Sequence, residues 1–265
     1  MLQNHSAFYC QIHYLCLYSS SIMNLVIDQG NSLCKIAVFD NNQLLELFKE
    51  ENLLSDFLYH VLSRFSIEGC IFSSVRKEDE KILSLLKNNV SNFIQFDQQT
   101  KVPIEIAYKT PATLGRDRIA AVVGARCIFP QKDVLVIDAG TCVTYELLTK
   151  SGVYLGGNIS AGFSTRLRAM RQFTGKLPLL TPEVVCQKMG TDTNSAMLVG
   201  TYRGLLSEIE GFIQDSKQIL KNDNICIIAT GGEAHFFVNK LKDTIFVDEN
   251  LVLVGLNTIL NHNAS

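Results

Sequence analysis

The chain has 265 residues, of which 47% are hydrophobic and 19% charged, and its formal net charge is −2. A chain of this length and composition can bury one large core or two medium ones. Its near-neutral charge provides no basic surface for nucleic acid and no block of like charges typical of an interaction tail. No apolar run reaches 18 residues, so we expect no contact with a membrane through a spanning helix.

The N-terminal segment, residues 1–22, differs in composition from the rest of the chain. It contains no Lys, Arg, Asp or Glu. A signal peptide needs a basic start followed by a continuous apolar stretch, and neither is present. We therefore expect the folded protein to begin at Met23, after a leader that is disordered or not native.

The eight cysteines contain no CxxC pair, and several lie in apolar, strand-like runs. Buried thiols behave as small hydrophobic groups, whereas a metal site needs clustered spacings. We predict reduced core cysteines in a cytoplasmic protein, at Cys10, Cys16, Cys34, Cys70, Cys127, Cys142, Cys186 and Cys226.

The first half of the folded chain predicts a three-stranded meander followed by alternating helices and strands. The meander consists of Asn24–Asp28, Leu33–Phe39 and the run QLLELF, with a hairpin at Asn41-Asn42. The segment ENLLSDFLYHVLSRF has apolar residues at helical spacing. A strand (CIFSS), a helix (KEDEKILSLLKNN), a strand (FIQF) and a helix after Gly115 follow.

The second half repeats this order. The strands VLVID, VTYELL and VYLGGNI precede a helix at STRLRAMRQF, a long helix at about 194–217, the strand ICIIAT, a helix at EAHFFVNKL, the strand TIFV and a terminal helix. The halves also open alike, with VIDQGNS and VIDAGTC. Such a repeat predicts two α/β domains, 23–132 and 133–265, each a mixed sheet flanked by helices, with an active-site cleft between them.

The repeated Asp-Gly turn has the chemistry of a phosphate site. Gly30 and Gly140 permit positive φ, and successive backbone N–H groups at such turns bind anions. Asp28 and Asp138 supply the hard oxygens that suit Mg²⁺ or another hard cation. Asn31, Ser32 and Thr141 add neutral hydrogen-bonding groups, and Lys35 adds a positive charge. Two facing turns of this kind would hold a nucleotide triphosphate, whereas a single one would be an ordinary hairpin.

The segment PATLGRDRIAAVVGA leads from Pro111 into a buried helix. Asp117 near that helix start is either a capping anion beside a salt-bridged Arg118, or a base that accepts a proton from an attacking hydroxyl. In the second case Arg118 binds an anionic group of the substrate.

The segment ATGGEAHFF follows a buried strand. It is either a plain strand-to-helix turn or a passage for adenine or ribose along Gly231 and Gly232. The chain contains no GxxxxGK[ST], GxGxxG or GxSxG motif, which disfavours P-loop kinases, Rossmann dehydrogenases and α/β-hydrolases.

Taken together and in this order, these motifs resemble the type III pantothenate kinase family of the acetate and sugar kinase/Hsp70/actin superfamily. The resemblance runs from Met23 to about Leu260 and includes DQGNSLCK, YKTPATLGRDR, DAGTCVTYELL, GGNISAG and GTDT. It implies two duplicated ribonuclease H-like domains of the actin-like ATPase type. It also implies a homodimer that transfers the γ-phosphoryl group of ATP to pantothenate, with the pantothenate pocket completed by the partner subunit.

The resemblance also implies residue roles. The catalytic base would be Asp117, and Asp138 would bind the monovalent cation, K⁺ or NH₄⁺, that acts beside Mg²⁺. The ATP-binding residues would be Asp28, Gly30, Asn31, Ser32, Lys35 and Thr141. The pantothenate-binding residues would be Tyr108, Gly115, Arg116, Asp117, Arg118 and Thr193.

Two positions depart from the family pattern, since Ser32 stands where Thr is usual and Ala161 stands where Pro is usual. The first change keeps the hydroxyl group, and the second leaves the rigidity of its loop open. Two alternative functions also remain at this point: another small-molecule kinase of the superfamily, and a nucleotide-binding regulator without turnover.

Overall fold

A computed structural model describes residues 23–31, 33–77 and 79–264. The leader, residues 1–22, and the site candidate Ser32 lie outside the described residues, as do Cys10 and Cys16. None of the helices in the described part is both long enough and apolar enough to cross a membrane.

The first sheet has five strands in the order β3-β2-β1-β4-β5. β1 pairs antiparallel with β2 and parallel with β4, and β2 pairs antiparallel with β3. The elements are β1 (Met23–Gln29), β2 (Cys34–Asp40), β3 (Gln43–Glu50), α1 (Ser55–Arg64), β4 (Ile67–Ser74), α2 (Glu80–Asn89) and β5 (Asn92–Gln95).

A short strand and a helix lead to the second half, β6 (Glu105–Ile106) and α3 (Arg116–Ile128). The elements that follow are β7 (Val134–Ala139), β8 (Cys142–Leu148), β9 (Val153–Ala161), α4 (Phe163–Phe173), α5 (Thr193–Leu220), β10 (Cys226–Thr230), β11 (Phe246–Val247) and α6 (Leu251–Ala264).

The second sheet repeats the topology of the first and adds one strand. Its order is β11-β10-β7-β8-β9-β6. β7 pairs antiparallel with β8 and parallel with β10, as β1 does with β2 and β4. The added strand is β6, which comes from the first half of the sequence and pairs parallel with β9. This doubled arrangement is that of two ribonuclease H-like domains, as predicted.

Successive side chains along the first strand of each half point to opposite faces of the sheet, and each face packs against a different core. In β1, Val26 faces a central core whereas Leu25 and Ile27 face a core shared with α1 and α2. In β7, Val136 faces the same central core whereas Ile137 faces a core shared with α5. Because both faces of each sheet are covered, these strands are continuously apolar rather than alternating with polar residues.

The two helices α3 and α6 form the layer between the sheets, and they pack closely against each other. α3 comes from the first half and contacts β7 and β8, whereas α6 comes from the second half and contacts β1 and β4. Buried amides join α6 to the first sheet, where Asn24 donates to Asn257 at 2.8 Å. Each half therefore supplies a helix that covers the sheet of the other.

One of our predictions about the fold was wrong, and another was wrong in part. EAHFFVNKL does not form a helix, because it divides into 3₁₀ turns at Ala234–Phe236 and Val238–Lys240. Its backbone bonds run three residues back instead of four, from Phe237 N to Ala234 O at 3.1 Å and from Lys240 N to Phe237 O at 2.8 Å. The buried Tyr202 hydroxyl of α5 donates to the Phe236 carbonyl at 2.8 Å. The core prediction for the cysteines holds for Cys34 and Cys70, but Cys226 is partly exposed and Cys127, Cys142 and Cys186 are exposed.

Candidate active site

The two Asp-Gly turns are closed by short backbone hydrogen bonds. In the β1–β2 turn, Gly30 N donates to Leu33 O at 3.0 Å; in the β7–β8 turn, Gly140 N donates to Cys142 O at 2.9 Å. Both positions permit positive φ, but neither glycine adopts it, since the positive-φ glycines of the described chain lie elsewhere. Asn31, at the tip of the first turn, is exposed.

Three carboxylates lie within electrostatic range of one another where the two halves meet. Burial, followed by the negative charge of Asp117, raises the pKa of Asp28 to about 7, against the lowering effect of Lys35. Burial and Asp117 likewise raise the pKa of Asp138 to about 6. Asp28 lies near the end of β1 and Asp138 near the end of β7, so the duplicated turns converge on Asp117.

Asp117 occupies the first turn of α3, which begins after the N-cap residue Gly115. Its Oδ1 accepts a hydrogen bond from Arg118 N at 2.9 Å. A Cβ at position 115 would lie only 2.5 Å from that Oδ1, so glycine leaves the space that the carboxylate occupies. The helix N-terminus favours the anionic form of a carboxylate placed there.

Arg116 and Arg118 are both engaged by the protein. Arg116 donates to the carbonyls of Phe96 and Ser74, at 2.8 and 2.7 Å, and so attaches the start of α3 to the first sheet. Arg118 is only 7% exposed and forms a bidentate pair with the fully buried Glu146, at 2.6 and 2.8 Å. The salt-bridge alternative for Arg118 is thus present, and it occupies the Nε and Nη2 side of the guanidinium.

An aromatic pair lies beside this ion pair. The ring of Tyr108 stacks on that of Tyr154 with centroids 6.3 Å apart, and Arg118 lies 5.7 Å from the centroid of Tyr108. The Tyr154 hydroxyl donates to Glu146 at 2.5 Å. Tyr108 also lines an open groove of about 400 Å³, formed by Ala107–Thr110 and Leu155–Gly157.

Three further predicted site residues are Lys35, Thr141 and Thr193. The amino group of Lys35 donates to the carbonyl of Glu249 at 2.7 Å. Thr141 is exposed at the tip of the second turn, and its carbonyl accepts from Gly162 N at 3.0 Å. Thr193 is the exposed first residue of α5, and no hydrogen bond within the described part of the chain joins it to the carboxylates.

Our reading of the sequence missed three polar residues: Glu146, Tyr154 and Glu233. Glu146 and Tyr154 sit in apolar strand patterns, and their partners are distant in sequence. A charge at an inward position of a strand is the signal that points to Glu146, because a buried carboxylate requires a partner.

No group of three or more His, Cys, Asp or Glu side chains among the described residues is arranged to hold a metal ion alone. The site nevertheless fits a cation held jointly with phosphate oxygens. Asp28 and Asp138 are half-buried, and their pKa values are raised by this burial and by a third carboxylate, with Lys35 as the opposing charge. A bound cation would offset this excess of negative charge.

Solved structures of other proteins share the fold, as two examples show. A conserved protein from Campylobacter jejuni, assigned to the Baf family of transcriptional activators, superposes with a TM-score of 0.58 at 23% identity, over 91% of this chain and 98% of that one. Component A of (R)-2-hydroxyglutaryl-CoA dehydratase from Acidaminococcus fermentans gives 0.52 at 12% identity, over 91% and 97%. Together with the duplicated topology, they define a two-domain protein of the actin-like ATPase fold.

Sequence comparison gives the family. The profile of the type III pantothenate kinases matches residues 24–215. A type III pantothenate kinase of Bacteroides fragilis is 43% identical over 241 residues, which are 91% of this chain and 98% of that protein. One from Porphyromonas gingivalis is 37% identical over 243 residues, with the same coverage of both chains. This chain belongs to the type III pantothenate kinase family.

Proposed function

We propose that this protein transfers the γ-phosphoryl group of ATP to the primary hydroxyl of pantothenate. The product is 4′-phosphopantothenate, and the reaction is the first step of coenzyme A biosynthesis. The observation that carries the chemistry is the convergence of both Asp-Gly turns on Asp117. Family membership carries the choice of pantothenate.

In the proposed reaction, the hydroxyl oxygen of pantothenate bonds to the γ-phosphorus as the bond between that phosphorus and the β,γ-bridging oxygen breaks. The hydroxyl proton passes to the carboxylate of Asp117, and ADP leaves with the bridging oxygen. Phosphoryl transfer requires mainly positioning and charge neutralisation. The proposed ATP ligands therefore surround the triphosphate: Asp28, Gly30, Asn31, Ser32 and Lys35 from the first turn and Thr141 from the second.

Mg²⁺ and a monovalent cation, K⁺ or NH₄⁺, would supply the positive charge that this site needs beyond Lys35. Asp28 and Asp138 supply hard oxygen ligands, which suit both kinds of ion. Because Mg²⁺ usually combines one or two carboxylates with substrate phosphates, the lack of a complete protein cage in the described residues agrees with a nucleotide-dependent site. Asp138 is the proposed ligand of the monovalent cation.

The proposed pantothenate site comprises Tyr108, Gly115, Arg116 and Arg118 beside Asp117. Arg118 keeps its bidentate pair with Glu146 in this proposal, and the side of its guanidinium near Tyr108 would meet the carboxylate of pantothenate. Arg116 would act through the start of α3, since its guanidinium holds that turn to the first sheet.

A homodimer forms part of this proposal, with the partner subunit completing the pantothenate pocket. The second half exposes large apolar side chains, including Ile159 (61%), Phe173 (81%) and Met189 (79%). A dimer interface in this half would cover such side chains. Thr193 is exposed and would reach a pocket across such an interface. A cytoplasmic location is also proposed, because the described cysteines are free thiols.

The test is an acceptor assay. The protein is incubated with ATP, Mg²⁺ and K⁺ and with pantothenate, a hexose or acetate in turn, and ADP and the phosphorylated acceptor are quantified. We expect turnover with pantothenate alone. Phosphorylation of the hexose but not of pantothenate would contradict the proposal, and tight ATP binding without turnover on any acceptor would identify a regulator instead. Sedimentation of the same sample tests the dimer.

A further inference from the structure

Glu233 follows the Gly231-Gly232 turn and caps a helix that begins 70 residues earlier in the sequence. Its Oε2 accepts from Phe163 N at 2.8 Å, and its Oε1 accepts from Ser164 N at 3.1 Å and from the Ser164 hydroxyl. The N-cap residue of α4 is Gly162, which has no side chain to satisfy these groups. The carboxylate of Glu233 therefore takes the place of a local cap.

The start of α4 and the backbone of Glu233 contact the β7–β8 turn from two sides. Gly162 N donates to the Thr141 carbonyl at 3.0 Å, and the Thr165 hydroxyl donates to that carbonyl at 2.7 Å. On the other side, Glu233 N donates to the Ala139 carbonyl at 2.9 Å. The second Asp-Gly turn thus lies between the start of α4 and the turn that carries Glu233.

Gly231 allows the Gly231-Gly232 turn to pack against Asp138, a member of the carboxylate cluster. It has φ +88°, and a Cβ there would lie 2.5 Å from Oδ1 of Asp138 and would clash with the Ala139 carbonyl. Only a residue without a side chain permits this approach and this backbone angle together. Glu233 is therefore two residues from a segment packed on Asp138, and its side chain reaches the helix that holds Thr141.

We infer that Glu233 is a positioning residue for ATP, joining the Gly231-Gly232 turn and α4 around the second Asp-Gly turn. This inference rests on the proposed ATP site at Thr141 and Asp138. The first N–H groups of α4 already hold a carboxylate, so the helix braces the turn rather than binding a phosphate itself. Loss of that carboxylate would free the start of α4 and loosen the Thr141 turn without touching Asp117.

The test compares Glu233→Ala with Asp79→Ala in the full-length protein. Asp79 caps α2 by accepting from Lys81 N at 2.9 Å, so the control also removes a helix-capping carboxylate, but from the outer layer of the first half. We expect Glu233→Ala to raise KM for ATP and the Kd of a non-hydrolysable ATP analogue about tenfold, the scale of losing hydrogen bonds to a charged group. KM for pantothenate should stay within about twofold of wild type, and Asp79→Ala should leave KM for ATP unchanged.

Glu233→Gln is the second variant, in case Glu233→Ala does not fold. Its amide nitrogen would face one of the N–H donors of α4, so we expect a rise in KM for ATP of about fivefold together with faster hydrogen exchange at Phe163 and Ser164. Wild-type ATP affinity in a folded Glu233 variant would overturn the inference, and so would an equal rise in Asp79→Ala. If the wild type does not phosphorylate pantothenate but Glu233→Ala still weakens analogue binding, the proposed function fails and this inference stands.

Discussion

The two Asp-Gly turns share a topology but differ in charge and in how they are held. In the first, Asp28 lies opposite Lys35 across the β1–β2 pair; in the second, Asp138 lies opposite the neutral Thr144. The first turn is held by Arg76, whose guanidinium donates to the Asn31 carbonyl at 2.7 Å, whereas the second is held by Thr165 and by the backbone of Glu233.

This difference indicates that the two turns of the duplicated fold have different roles. The first turn carries its own positive charge, so it is suited to contacting phosphate oxygens directly. The second turn has no basic residue at the equivalent strand position, which agrees with the proposal that a cation from solution complements its carboxylate. Duplication supplied the same backbone twice, and substitutions at the partner positions made the two copies chemically different.

The largest expected effect comes from Asp117, which belongs to neither turn. We predict that Asp117→Asn lowers kcat at least about 100-fold, the scale of losing a general base, because the amide cannot accept the hydroxyl proton. Binding of an ATP analogue should be largely kept, since both turns remain. Steady-state kinetics with pantothenate and analogue titration measure the two quantities, and wild-type kcat in the variant would remove Asp117 from the mechanism.

Lys35→Ala should affect ATP binding more than any neutral change in the second turn. Loss of a charged donor to a phosphate costs about 1.5–3 kcal/mol, so we predict a rise in KM for ATP of roughly 10- to 100-fold. Lys49→Ala is the matched control, because Lys49 lies opposite Lys35 in β3 and is also near Glu249. Equal effects of the two substitutions would show that surface charge alone matters and would contradict a specific role for Lys35.

The free energy of unfolding should depend on pH because the pKa of Asp28, in the first turn, is raised. The folded-state pKa of Asp28 is about 7 against 3.8 for a free side chain, so its stabilising contribution is complete below pH 4 and is lost as pH rises through 7. Asp28→Asn removes that loss. We predict a free energy of unfolding about 1–2 kcal/mol above wild type at pH 8 without ATP, reduced from the full linkage value because the carboxyl is partly exposed.

Urea unfolding at pH 5 and pH 8 measures this difference. The gain of Asp28→Asn over wild type should shrink at pH 5, where the Asp28 carboxyl is largely protonated in the folded protein. An equal gain at both pH values would show that burial and the neighbouring carboxylates do not control the ionisation of Asp28.

The smallest expected effect is the change in kcat when the monovalent cation proposed for the second turn is replaced. Replacing K⁺ and NH₄⁺ by Na⁺ should lower kcat by less than about tenfold, or about 1.4 kcal/mol in the barrier, because Mg²⁺ and Lys35 still neutralise most of the phosphate charge. Asp138→Asn should abolish the difference between the cations, whereas Lys35→Ala should retain it. Indifference of the wild type to the cation would remove the proposed role of Asp138.

Local patterns predicted much of the fold. The apolar runs around Val26 and Val136 identified the first strand of each half, and the repeated Asp-Gly turn indicated the duplication. The strand β6 gave no periodic signal because two residues are too few to show alternation, and its pairing with β9 of the other half is not visible in local sequence. The predicted helix at EAHFFVNKL was wrong because helical spacing of apolar residues does not distinguish an α-helix from the two successive 3₁₀ turns found there.

The candidate site was predictable where its residues lie in local motifs and unpredictable where they act across the fold. Asp28 and Asp138 follow from the turn, and Asp117 follows from the start of α3. Glu146 and Glu233 do not, because their roles depend on partners 28 and 70 residues away. The sequence left Arg118 with two alternatives, and only the tertiary structure revealed its pairing with Glu146.

The exchange of helices between the sheets has a consequence for biosynthesis. α6 covers β1 and β4, and Asn24 bonds to Asn257, 233 residues later. The nascent first half therefore cannot complete the cover of the inner face of its sheet until almost the whole chain has left the ribosome. Contacts of such long sequence separation slow folding and leave apolar surface exposed meanwhile. A ribosome-bound chain that stops before Leu251 should thus be the species that chaperones hold longest.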